Sequence, residues 1–157
     1  MKKSLSAAAV LAVLVGFAAT PANAAITPSV SKTTGLFQSG ETITVSIPDI
    51  PAGEGAYVRL CKAPALGARP SSSTCYTPEG NTMGAGSWAS LDATQIALGA
   101  VDASKPIELK VKGQFTAGGS NIDCTVDSCI VFIRRDHNGG STDFSLDANI
   151  PVTFAPA

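Results

Sequence analysis

Histidine is nearly absent: His137 is the only one in 157 residues. A Ser-His-Asp hydrolase needs a histidine base, and no G-x-S-x-G elbow occurs to present its nucleophile. His137 ends an apolar run within Arg135-Asp136-His137-Asn138-Gly139, which reads as a solvated or hydrogen-bonded turn histidine. The cysteines lack the paired C-x2-C hooks of a tetrahedral zinc site, and one histidine does not replace them. With no nucleophile–base pair in view, no enzyme is expected. Surplus basic charge is missing too. Removing Lys2 and Lys3 from a chain of 11 basic and 12 acidic residues leaves a small net negative charge. That is not the electrostatic footprint of a nucleic-acid-binding domain, and no direct nucleic-acid contact is expected. No segment shows convincing helical amphipathicity. Trp88 is the sole tryptophan, and it is read as a core plug.

The chain opens with the one long apolar run. Lys2 and Lys3 precede residues 6–19, which carry no charge, and Pro21 breaks the run before Ala22-Asn23-Ala24. This order is that of an export signal cleaved after Ala24. The run is too short for an anchor of about 20 apolar residues. The expected product is a single exported domain, residues 25–157, free of the membrane and monomeric.

Cys61, Cys75, Cys124 and Cys129 all lie in the exported part. An even number in an oxidising compartment argues for two disulfides. Three pairings exist, and the local one, Cys61–Cys75 with Cys124–Cys129, is the most economical.

Between the turn signals the chain reads as strands. Residues 27–33 form a first strand whose proline suits an edge. In 41–47, Ile43, Val45 and Ile47 alternate with Thr42, Thr44 and Ser46. In 56–62, Val58 and Leu60 share one face, and Tyr57, Arg59 and Cys61 the other. Residues 63–86 are a disulfide-tied hairpin or irregular loop, 87–91 a short strand, and 92–104 a long connection with some local structure. Residues 105–112 alternate again, with Ile107, Leu109 and Val111 inward. Residues 113–120 read as a glycine-rich turn carrying Phe115. Residues 143–148 are a polar connection anchored by Phe144 and Leu146, and 150–154 the last strand.

The chain is organised around the run Cys129-Ile130-Val131-Phe132-Ile133. It is short, β-branched and aromatic, and it stops at a charged turn, so it predicts a central strand buried on both faces. Period-two geometry puts Cys129, Val131 and Ile133 in the inter-sheet core and Ile130, Phe132 and Arg134 opposite. About seven strands without helices make an all-β, immunoglobulin-like antiparallel sandwich. The strand over 41–47 has no cysteine, so the disulfides are local staples rather than an inter-sheet bridge.

Asp123-Cys124-Thr125-Val126-Asp127-Ser128-Cys129, after a glycine-containing turn and a Lys-x-Lys strand, resembles the second disulfide region of the neocarzinostatin family. These are the actinobacterial apoproteins that carry enediyne antibiotics. Cys61 and Cys75 fall where that family has its larger disulfide loop. The opening Thr27-Pro28-Ser29-Val30-Ser31-Lys32-Thr33 and the later Ser39-Gly40-Glu41-Thr42-Ile43 fit its first two strands. The resemblance covers 26–154. It implies a seven-stranded sandwich with a cleft beside two disulfide ribbons, holding a non-covalent apolar chromophore and no other cofactor. DNA binding belongs to the implied family function only. On this resemblance the ligand site is Tyr57, Arg59, Phe115, Phe132 and Arg134, beside Cys61–Cys75. The chain departs from the family in having Lys62-Ala63-Pro64 after the first cysteine, a short loop at 115–120, and Phe132 and Arg134 where carriers use smaller residues. These departures imply a cleft that is filled or reshaped. The alternative function is an extracellular or cell-envelope interaction module without a small ligand.

Two local readings complete the set. Asp123 and Asp127 brace the small disulfide loop by accepting backbone N–H bonds. Arg134 and Arg135 point to opposite faces. One is expected in a salt bridge near Asp143 or Asp147. An anion contact by Arg134 is the functional alternative, joined by Arg59 if the two strands are neighbours.

Overall fold

The computed structural model describes residues 26–48, 50–78, 87–139 and 142–156. The expected export signal and residues 79–86 of the 63–86 segment lie outside the described residues. Ten strands are described: β1 (Ser29–Val30), β2 (Glu41–Ser46), β3 (Gly55–Lys62), β4 (Ser87–Ser90), β5 (Val101–Asp102), β6 (Ile107–Val111), β7 (Gln114–Ala117), β8 (Ser120–Asp123), β9 (Cys129–Arg135) and β10 (Ala148–Val152). One helical turn, α1 (Ala93–Ala97), precedes β5 and is capped by the Asp92 side chain. No helix among the described residues is long and apolar enough to cross a membrane.

The fold is the expected all-β sandwich with two local disulfides. One sheet runs β1-β2-β6 and the other β10-β9-β3-β4-β5, with β7-β8 as a separate ribbon. Pairing is antiparallel except between β4 and β5. The alternating apolar residues of the two sheets meet between them: Ile43, Val45, Ile107, Leu109 and Val111 from one, Val58, Leu60, Ala89, Val131, Ile133 and Val152 from the other. The strand Cys129–Arg135 lies between β3 and β10 and is buried on both faces. Its faces divide as the period-two argument requires. Cys129, Val131 and Ile133 join the main core, while Ile130 and Phe132 join Cys61 and Cys75 in a second, smaller cluster.

Several expected elements shift in the structure, and the last strand runs over Ala148–Val152. The first strand shrinks to Ser29–Val30. Pro28 has no N–H to give the ladder. The turn expected at 113–120 is a hairpin, β7-β8, whose two turn residues Gly118 and Gly119 both have positive φ. Such a two-residue turn matches the twist of its strands and favours glycine at both places. Phe144 is no anchor: it is 59% exposed, with the Arg69 guanidinium stacked over its ring at 3.9 Å. Leu146 is buried as expected.

The disulfides are Cys61–Cys75 and Cys124–Cys129. The larger bridge ties the segment after β3 back onto that strand, and Tyr76 N–H donates to the Leu60 carbonyl. Replacing Cys61 and Cys75 together by alanine should lower stability by about 3 kcal/mol, the loop-closure value for this separation. Denaturant unfolding of the two proteins, compared at equal m-value, measures it.

Candidate functional site

The outer face of the five-stranded sheet gathers most of the expected site. Register sets Tyr57 of β3 opposite Trp88 of β4 on one side and Arg134 of β9 on the other. Arg59 lies opposite Phe132, and Cys61 opposite Ile130. Directly opposed residues share a face, so these side chains stand on one surface, pointing away from the main core.

Tyr57 is the centre of that surface. The Arg59 guanidinium carbon lies 5.2 Å from the Tyr57 ring centroid, and that of Arg134 lies 5.3 Å from it. The phenol oxygen is 2.7 Å from His137 Nδ1. Burial, then the nearby negative charge of Asp136, raises the Tyr57 pKa. The phenol therefore stays protonated while paired with that ring nitrogen. The His137 ring also lies 5.2 Å from that of Trp88.

A buried aspartate holds this arrangement. Asp136 is 2% exposed. Its carboxylate accepts from Trp88 Nε1 at 3.0 Å and from the backbone N–H of Asn138 at 2.9 Å. Those bonds fix the turn that carries His137 over Tyr57. Gly55 makes room for it: a Cβ there would stand 2.6 Å from an Asp136 carboxylate oxygen. Trp88 is buried as expected, but beneath this turn and outside the inter-sheet core. Sequence reasoning missed Asp136. Its only signal was a carboxylate directly following a buried strand.

The two arginines after Ile133 separate as period two requires. Arg135 pairs with Glu54 at 2.5 Å and with Asp143. Asp147 is taken by Arg69 at 2.6 Å. The side chains of Arg134 and Arg59, in contrast, make no hydrogen bond or ion pair among the described residues, and Arg59 Nε is buried without a partner. Burial first, and then the positive charge of Arg134, holds the Arg59 pKa below the usual arginine range.

Two expected site residues do not join this surface. Phe132 is 3% exposed and packs with Ile130 and the Cys61–Cys75 bridge in the smaller cluster. Phe115 is 8% exposed and belongs to the main core, its ring 5.3 Å from that of Tyr76. It also borders a concavity of about 490 Å³ beside the β7-β8 ribbon, together with Lys112, Gln114 and Asp123. None of Tyr57, Arg59, Phe132 or Arg134 lines that concavity. The ribbon leans on the first disulfide segment: a Cβ on Gly118 would come within 2.6 Å of the Ser73 side chain. Of the phenylalanines expected in a carrier cleft, Phe132 is packed against the disulfide and Phe115 lies in the main core. The exposed remainder is aromatic and cationic.

The small disulfide loop is braced as expected. Asp123 Oδ1 accepts from Thr125 N–H at 2.9 Å, and Asp127 Oδ2 accepts from Asp123 N–H at 3.3 Å. The Thr125 hydroxyl and backbone bonds hold the Asp123 carboxyl below the usual aspartate range. Lys62 does the same for Asp127, donating at 2.6 Å. No group of His, Cys, Asp and Glu with metal-holding geometry occurs among the described residues.

No family model matches the chain, and no solved structure matches it. It is similar to a protein of Corynebacterium glutamicum named thiamine biosynthesis protein X, with 30% identity over 119 residues. That alignment covers 75% of this chain and 58% of the other, so the chain spans little more than half of its relative.

Proposed function

We propose that this chain is an exported, non-enzymatic binding protein of neocarzinostatin-like architecture, holding a small ligand on the outer face of its larger sheet beside Cys61–Cys75. One observation carries the reading: Tyr57 is flanked by two guanidiniums that no described carboxylate neutralises. Unpaired, partly buried charges are retained against a desolvation penalty, and perturbed groups of this kind concentrate at functional sites. Two disulfides support an oxidising compartment, consistent with the export signal read at residues 1–24. The burial of Phe132 and Phe115 changes the ligand expected. A wholly apolar chromophore has lost its floor, and the surface suits an amphipathic molecule with one aromatic ring. Titration with small aromatic probes, followed by calorimetry, should give saturable one-to-one binding that Tyr57→Ala weakens at least tenfold. Absence of saturable binding by any aromatic probe would remove this reading.

A second reading is an extracellular or cell-envelope interaction module without a small ligand. It is favoured by the same burial, since both phenylalanines expected in the cleft are core residues. Recovery of a macromolecular partner from culture supernatant, with no binding of small probes, would support it. The relative's name adds a thiamine-linked role as a third reading. Thiamine carries a fixed positive charge, which Arg59 and Arg134 oppose, so it serves as the cationic control in the same titration.

A further inference from the structure

We propose that the surface around Tyr57 is an anion subsite, selecting an aromatic ligand that bears a single carboxylate or phosphate group. This rests on the binding reading above and names the class of its ligand.

The geometry supports the assignment in three ways. First, Arg59 and Arg134 are diagonal neighbours on adjacent strands. That places their backbones about 7–8 Å apart, a span that two guanidinium forks reaching toward one anion can close. Arginine's planar fork suits two-oxygen acceptors, and such charge-assisted bonds are among the stronger ones. Second, both cations are uncompensated among the described residues, whereas Arg69 and Arg135 have carboxylates. Like charges on one face repel, and an anion between them removes that repulsion; Arg59 Nε, moreover, has no partner among the described residues. Third, the groups beside the cations are aromatic. Tyr57 is half-buried, and the exposed His137 ring stands next to it. The guanidiniums lie over the Tyr57 ring, and the exposed His137 ring offers the stacking surface for a planar ligand. The charged groups of the turn do not compete, because the Asp136 carboxylate faces Trp88 and Asn138 and Glu54 faces Arg135.

A carboxylate and a phosphate ester share the chemistry that this pair recognises, and the test separates them. Mature, disulfide-intact protein is titrated calorimetrically with benzoate, phenyl phosphate, inorganic phosphate, benzyl alcohol and benzylamine. Either or both aryl anions should bind at least tenfold more tightly than benzyl alcohol, and benzylamine most weakly. The stronger of the two anions identifies the headgroup. Arg134→Gln should remove the preference for the aryl anion over benzyl alcohol, and Arg134→Lys should restore part of it. Arg134 is half-exposed, so this variant does not depend on replacing a buried side chain, and Arg59→Gln is the second. Equal binding of anion and alcohol would overturn the anion assignment and leave the binding reading standing. No binding of any aryl probe would remove both. Inorganic phosphate binding as tightly as phenyl phosphate would overturn the aromatic half of the assignment. Anion preference untouched in both arginine variants would place the site elsewhere and overturn it.

Discussion

Val131→Asp should yield no folded protein. Val131 is 0% exposed at the middle of β9, paired with Leu60 on one side and Ile150 on the other. Its neighbours across the core are the aliphatic side chains of the facing sheet. A carboxylate there finds no cation and no donor, and burying it costs several kcal/mol beyond the lost packing. Domains of this size are stable by only about 5–15 kcal/mol. The strand cannot escape by slipping one residue, because the slip would turn Ile130 and Phe132 inward and expose Cys129, Val131 and Ile133. The near-ultraviolet circular dichroism of the oxidised protein reports the outcome: the wild-type aromatic signal should be absent. A variant with native signal and cooperative unfolding would show that β9 is not the core strand.

Phe132→Ala should lower stability by about 3–5 kcal/mol, the usual cost of removing a large buried ring. As a cleft residue, Phe132 would have been replaceable with little effect on stability. Its 3% exposure makes it a core residue instead. It fills the space between the sheet and the Cys61–Cys75 bridge, with Ile130 beside it. That cluster is small, so few neighbours remain to close a cavity. The same variant should retain most of its binding to small aryl probes, measured well below its midpoint of unfolding. Urea unfolding gives the stability term. A change under 1 kcal/mol would return Phe132 to the ligand surface.

These two residues also show how far the sequence was legible. Strand period two, read on Cys129-Ile130-Val131-Phe132-Ile133, assigned each side chain to the correct face. What period two does not carry is what lies above the outer face. The bridge from Cys61 to Cys75 packs with Phe132 and Ile130 in one buried cluster, and that depends on a loop path rather than on strand register. Phe115 sits in a short strand of the main core and borders the ribbon concavity. Its strand has only four residues, Gln114–Ala117, and the glycines after it dominate the local pattern. The hairpin reads from sequence only as a turn, and Phe115 enters the expected cleft through the resemblance. Arg59 and Arg134 came together because the conditional expectation was met: β3 and β9 are neighbours. Asp136 was beyond reach, since its role comes from Trp88 on a strand 48 residues away in sequence.

The location of the proposed ligand surface is open to one direct measurement. Nitrogen-15 correlation spectra of the mature, oxidised protein, including arginine side-chain Nε–H resonances, are followed during titration with phenyl phosphate. Saturating shifts are expected at the Nε–H signals of Arg59 and Arg134 and at the backbone amides around Tyr57 and His137, with Gln114, Phe115 and Asp123 unmoved. Shifts confined to those ribbon residues, with both arginine signals unchanged, would contradict a site on the outer sheet face and move it to the concavity beside β7-β8.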